Sequence, residues 1–203
     1  MSKFFERAYG TTKQDDIVDL YEDWAQSYDD DLRVNGYATP GRCAAALAGH
    51  LTPFDAPIFD FACGTGLSGA ALAALGFTVI DGVDLSDAML ARALGRGVYR
   101  TLSRAEPEAP PALEPGAYGA ISAMGALSPG AAPARYFDLL LDGLAPGGLM
   151  VFSYNDHTLV EPEYTSRVDQ ALADGRAREL FREHGPHIEK LGSQSTVYVF
   201  EKL

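Results

Sequence analysis

The sequence predicts an α/β fold built on a mostly parallel sheet with helices on both faces. Three observations carry that expectation. Short apolar runs alternate with amphipathic, helix-length segments through most of the chain. A glycine-rich turn, Gly64-Thr65-Gly66-Leu67-Ser68-Gly69, stands between one such run and a helical segment. The last two extended segments, 188–191 and 197–201, leave no room for a crossover helix and are expected to pair antiparallel.

The 203 residues fit one domain, and 47% hydrophobic with 22% charged residues is a globular balance. No apolar run approaches the ~18 residues of a membrane span. The opening Met1-Ser2-Lys3-Phe4-Phe5-Glu6-Arg7 lacks the apolar core of a secretory signal. The two cysteines, Cys43 and Cys63, have neither disulfide-framework nor zinc spacing, so no metal site and a reducing, cytoplasmic setting are expected. A net charge of −12 without a Lys/Arg cluster argues against nucleic acid or a membrane as partner.

In chain order, the first helix is expected over 15–30, where Ile17, Leu20, Tyr21, Trp24 and Tyr28 share a face. An alanine-rich helix follows over 41–51. Strand 58–62 leads through the glycine turn into helix 65–75, stopped by Gly76. Strand 77–83 precedes helix 87–94, which Ser86 can cap. A short strand is expected over 97–102, then a proline-rich loop over 104–116. Strand 118–124 is followed by a helix from Pro133 carrying Tyr136, Phe137, Leu140, Leu141 and Leu144. Ala145-Pro146-Gly147-Gly148 ends it before strand 149–154. A polar helix over 163–184 and the closing strand pair complete the chain.

The glycine turn matches G-x-G-x-x-G, and Asp84 lies eighteen residues after Gly66 at the end of the next strand. The glycines let backbone approach a ligand, and the carboxylate accepts from ribose hydroxyls. Several nucleoside-binding folds need that geometry. Three details favour S-adenosylmethionine over NAD. Asp60 stands four residues before Gly64, where a nearby pyrophosphate would be repelled but an α-amino group could be held. The chain is short for a dinucleotide fold plus a substrate domain. The antiparallel ending departs from a dehydrogenase sheet.

IFDFACGTG, VIDGVDLSDAML, YGAISAMGAL and LAPGGLMVFSYN, in that order, resemble the class I (seven-stranded) S-adenosylmethionine-dependent methyltransferases. The leading YEDWAQSYD resembles a small-molecule subgroup of that family. The resemblance spans about 20–201. It implies a Rossmann-like three-layer sandwich of sheet order 3-2-1-4-5-7-6, strand 7 antiparallel. It makes 1–203 one domain, with a helical cap over 1–45 and a cofactor-binding core over 46–203. Asp60 and the backbone of Ala62, Gly64 and Gly66 would hold the methionine part, with Cys63 as a small buried filler of the same loop. Asp84 would take the ribose hydroxyls. Leu85 and Met89 would lie near the adenine, and Met124 would line the pocket. Trp24, Tyr28 and Tyr37 would cover the site. Two departures stand out. The usual acidic contact to the adenine amino group has only Glu106 as its match, and Tyr118 is followed by Gly119 where the family has an aspartate.

Activated methyl transfer needs alignment above all, and a base only when the acceptor must lose a proton. The end of the fifth strand is the richest polar cluster, so His157 is the expected base and Tyr154 an orienting group; a solvated loop histidine is the plain alternative. His184 and His187 flank Gly185-Pro186 in a turn and do not suggest a metal. The expected function is methyl transfer to a small-molecule acceptor. A non-catalytic S-adenosylmethionine sensor is the alternative.

Overall fold

A computed structural model describes residues 14–106, 109 and 111–203. The expected N-terminal reading over 1–13 and the side chains of Ile17 and Tyr21 lie outside what is described. Helix α1 (Gln14–Asn35) and α2 (Thr39–Ala48) precede β1 (Ile58–Phe61), α3 (Leu67–Ala74), β2 (Ile80–Asp84), α4 (Asp87–Gly95) and β3 (Thr101–Arg104). Then come β4 (Ala120–Ala123), α5 (Arg135–Asp142), β5 (Leu149–Asn155), α6 (Asp156–Leu159), α7 (Pro162–Ala173), β6 (Ala177–Ile188) and β7 (Ser193–Lys202). The sheet order is β3-β2-β1-β4-β5-β7-β6, parallel except for β7, which runs antiparallel to both neighbours. That is the expected architecture.

Alternation along β5 divides the core into two layers. Met150, Phe152 and Tyr154 face α5 and α7, while Leu149 and Val151 face α2 and α3. The aromatic side is dense: Phe152 stacks on Tyr198 at 4.7 Å and meets Phe137 and Phe200 edge-on. Helix α2 spans the expected cap–core division at residue 45, yet Cys43, Ala44, Ala46 and Leu47 are all buried in the sheet-facing layer. Among the described residues no helix is long and apolar enough to cross a membrane.

The C-terminal third corrects two expectations. Residues 163–184 are not one helix: α7 stops at Ala173, Gly175 turns the chain at φ +66°, and β6 begins at Ala177. Of the expected strand 188–191, only Ile188 is extended, as the last residue of β6; Glu189–Leu191 form a 3-10 turn. The segment Ala177–His184 is rich in Arg and Glu, which favour helices locally. Pairing with β7 overrides that preference, and an edge strand tolerates such exposed charges.

The Tyr118-Gly119 departure also has a structural cause. The Tyr118 hydroxyl donates to Asp81 at 3.0 Å, and Asp81 also holds Arg100 and Thr101. A Cβ on Gly119 would fall 3.1 Å from the Ala56 Cβ, so a larger residue there would crowd the chain.

Candidate functional site

The carboxyl ends of β1, β2 and β4 open into a cleft, as expected of an open parallel sheet. It has two lobes that share Ala62, Asp84 and Ala131. One, of about 700 Å³ counted out to its mouth, runs between Leu85, Glu106, Pro133 and Tyr136. The other, of about 620 Å³, is lined by Tyr28, Tyr37, Gly64, Met89 and Met124.

The loop after β1 is held from three sides. Ala62, which faces both lobes, adopts φ +51°, a left-handed conformation unusual for a residue with a Cβ. Gly64 donates its N–H to Asp84 Oδ2 at 2.8 Å, while Ser86 N–H donates to Asp84 Oδ1 at 3.0 Å. From above, Thr65 donates its hydroxyl to Asp29 of α1 at 2.5 Å, and Arg96 bridges Asp29 to the Thr65 carbonyl. From below, Asp60 is fully buried and accepts hydroxyls from Ser68 at 2.6 Å, Tyr99 at 2.8 Å and Ser122 at 2.9 Å. Burial pushes the Asp60 carboxyl up to about 6, against the pull of those three donors.

The two glycines of the loop differ in purpose. Gly64, at φ +54°, has nothing within 4 Å of a built Cβ and opens onto the cleft. Gly66, at φ +85°, is crowded by Arg96, Tyr99 and the Ala93 backbone, so its missing side chain serves packing.

Comparison with known proteins bears directly on this arrangement. A family model described as "Methyltransferase domain" matches residues 39–193. The chain belongs to the class I S-adenosylmethionine-dependent methyltransferase family. Human methyltransferase-like protein 27 is 36% identical over 146 residues, covering 70% of this chain and 59% of that protein. The chain thus spans about three-fifths of that relative's length. In fold it is similar to the magnesium protoporphyrin IX methyltransferase of Synechocystis PCC 6803, solved with bound S-adenosylhomocysteine (TM-score 0.62, 15% identity, 86% of each chain). It is also similar to the [4+2]-cyclase SpnF (TM-score 0.61, 16% identity, 80% of each chain).

S-adenosylmethionine, the cofactor this methyltransferase family implies, fits the residues present. The cleft lining carries the carboxylates of Asp84 and Glu106 and, among the described residues, no Lys, Arg or His. A sulfonium and an ammonium suit such a wall; a pyrophosphate would be repelled by it. Gly64 leaves open the space that a Cβ would fill.

The structure brings together most of the residues that the sequence singles out. Tyr28, Tyr37, Ala62, Cys63, Gly64, Asp84, Leu85, Met89, Glu106 and Met124 all line one lobe or the other. Burial and the neighbouring Asp60 and Asp84 charges push the Cys63 thiol far up, which keeps it protonated and unreactive.

Five expectations are displaced. Asp60 lies under the loop with its carboxylate taken up by hydroxyls, so it fixes the loop instead of facing the cleft. Gly66 lies outside the lining, as above. Trp24 is 2% exposed, donates to Asp31 at 2.8 Å and packs edge-on to Tyr28 at 4.7 Å; it backs Tyr28 and is not part of the lining of either lobe. Tyr154 is fully buried in the aromatic layer, because β5 alternation turns it away from the cleft. His157 is exposed on the short α6 and lines neither lobe.

Sequence reasoning missed Tyr99, which reaches Asp60 and also accepts the Gly69 N–H at 3.1 Å. The one signal available was the pair of glycines that make room for it: a Cβ on Gly69 would lie 2.4 Å, and one on Gly82 2.9 Å, from its ring. It also missed the far wall, Ala131 to Pro133 with Tyr136, which comes from a loop with no motif.

Proposed function

We propose that the protein binds S-adenosylmethionine across both lobes and transfers its methyl group to a small-molecule acceptor. The observation that carries this reading is the Asp84 carboxylate. It is fixed by two backbone amides at the junction of the lobes, beside the open Gly64 position and in a lining that, among the described residues, holds no Lys, Arg or His. The bound cofactor would supply a methyl group already activated on a sulfonium. The chain's own residues then have three tasks. Asp84 accepts from the ribose hydroxyls. Leu85, Pro133 and Tyr136 flank the adenine, with Glu106 at the rim. Tyr28 and Tyr37 close the methionine lobe and exclude water above Met89 and Met124.

Neither Tyr154 nor His157 serves this site, so no imidazole is offered as base. That suits an acceptor whose nucleophile needs no deprotonation on the enzyme. It equally suits the second reading, a non-catalytic S-adenosylmethionine sensor, and the likeness to a cyclase is a reminder that fold leaves chemistry open.

Thermal shift and calorimetry with S-adenosylmethionine, S-adenosylhomocysteine and NAD test the cofactor claim. Stabilisation by the first two and not by NAD is expected; stabilisation by NAD alone would refute it. Release of S-adenosylhomocysteine against a panel of small acceptors separates enzyme from sensor.

A further inference from the structure

A second chamber adjoins the methionine lobe. Tyr37, Pro40 and Leu67 line both. The second space, about 1030 Å³ counted out to its mouth, is also lined by Asp29, Asp30, Arg33, Arg92 and Arg96. In a chain of net charge −12, this lining holds three guanidiniums against two carboxylates.

The pairing within it is uneven. Asp29 is engaged by Arg96 at 2.6 Å and by the Thr65 hydroxyl at 2.5 Å. Arg33 pairs with Asp30 at 3.1 Å, with both side chains about three-quarters exposed (74% and 78%), a pair that water readily replaces. Arg92 stands 3.9 Å from Asp29, beyond hydrogen-bonding range, and makes no hydrogen bond among the described residues. Asp29 is thus shared between Arg96 at close range and Arg92 at long range, and among the described residues the lining carries one guanidinium more than it has carboxylates.

We propose that this chamber is the acceptor site and that it takes a small organic carboxylate, held by the Arg92 guanidinium with Arg33 beside it. A planar guanidinium matches a carboxylate with two parallel hydrogen bonds. A single surplus cation balances a monoanion, whereas a phosphate dianion would bring a second charge toward Asp29 and Asp30. The body of the acceptor then lies along Leu67 and Tyr37, which also line the methionine lobe, with its far end directed toward that lobe. The assignment of the site to an acceptor rests on the methyltransfer reading above; the anion site itself does not.

The test uses the full chain with benzoate, benzamide and phenyl phosphate, followed by amide chemical shifts with and without saturating S-adenosylhomocysteine. Benzoate is expected to shift amides of α4 and the end of α1, with benzamide at least tenfold weaker. Arg92→Gln is expected to weaken benzoate at least fivefold, and Arg92→Lys to restore part of the loss. Equal binding of benzoate and benzamide, or an unchanged benzoate affinity in Arg92→Gln, overturns the proposal. Tighter binding of phenyl phosphate than of benzoate overturns the carboxylate assignment. If benzoate binds as expected and S-adenosylhomocysteine does not bind at all, the methyltransfer reading fails and the anion site stands.

Discussion

The Asp84 carboxylate accepts the Gly64 N–H at 2.8 Å, joining the end of β2 to the loop after β1. Its second oxygen holds Ser86 N–H at 3.0 Å, so the group that faces the cleft is also the clasp of the cleft. Removing it has two effects in one direction. Asp84→Ala is expected to lose about 1.5–3 kcal/mol of ligand binding, as for hydrogen bonds to charged groups, or roughly tenfold to a hundredfold in S-adenosylhomocysteine affinity. Asp84→Asn, which keeps one acceptor oxygen, should fall between. Titration calorimetry giving an unchanged Kd for the alanine variant would reject the assignment.

Asp60 makes stability depend on pH in a direction opposite to most carboxylates. Its folded value of about 6 lies above the 3.8 of an unperturbed aspartate. The folded chain therefore holds the proton more tightly, and the stabilising contribution is complete below about pH 4 and lost as pH rises through 6. At 1.36 kcal/mol per unit the loss is on the order of 3 kcal/mol. Asp60→Asn has no such titration, so its stability relative to the parent should climb between pH 4 and 7 in denaturant unfolding. A flat difference across that window would show that Asp60 is ionised in the fold at low pH.

Tyr99 fills the space that two glycines leave. A Cβ at residue 69 would meet the Tyr99 ring at 2.4 Å, and that ring is anchored to Asp60. Gly69→Ala is expected to destabilise by about 1–3 kcal/mol, the usual range for overpacking. Gly41→Ala is the control. It lies in α2 with open space around it and should stabilise by up to ~1 kcal/mol. Equal melting temperatures for the two variants would contradict the packing argument.

The Tyr154 hydroxyl is buried with no hydrogen-bond partner among the described residues. Tyr154→Phe should therefore leave stability unchanged or raise it by roughly 1 kcal/mol, because it removes an unsatisfied polar group and keeps the ring. His157→Ala should leave S-adenosylhomocysteine affinity within twofold. A large loss of turnover in either variant with cofactor affinity intact would return that residue to the acceptor site.

Legibility followed the range of the interaction. The glycine turn, the Asp84 position and the strand–helix alternation up to β5 are encoded by neighbouring residues and were readable. That Tyr28 and Tyr37 line the cleft was readable through resemblance. The 163–184 segment was misread because Arg and Glu favour a helix locally, although Gly175 at φ +66° was a visible stop. Tyr154 and His157 are singled out by sequence because they belong to the polar cluster at the carboxyl end of the fifth strand. Which face Tyr154 takes depends on the parity of β5 against its neighbours, Phe152↔Tyr198 and Tyr154↔Thr196.

The sequence by itself determined the loop, the acidic residue beyond it and the sheet that carries them, since backbone conformation and hydrophobic period are local properties. Only the tertiary structure decided where the Asp60 carboxylate goes. Its three hydroxyl partners stand 8, 39 and 62 residues away in the chain. A buried carboxylate takes whichever donors packing brings within about 3 Å. For the same reason, only the folded chain placed Arg92 beside an already engaged Asp29, in a chamber that shares Tyr37, Pro40 and Leu67 with the methionine lobe.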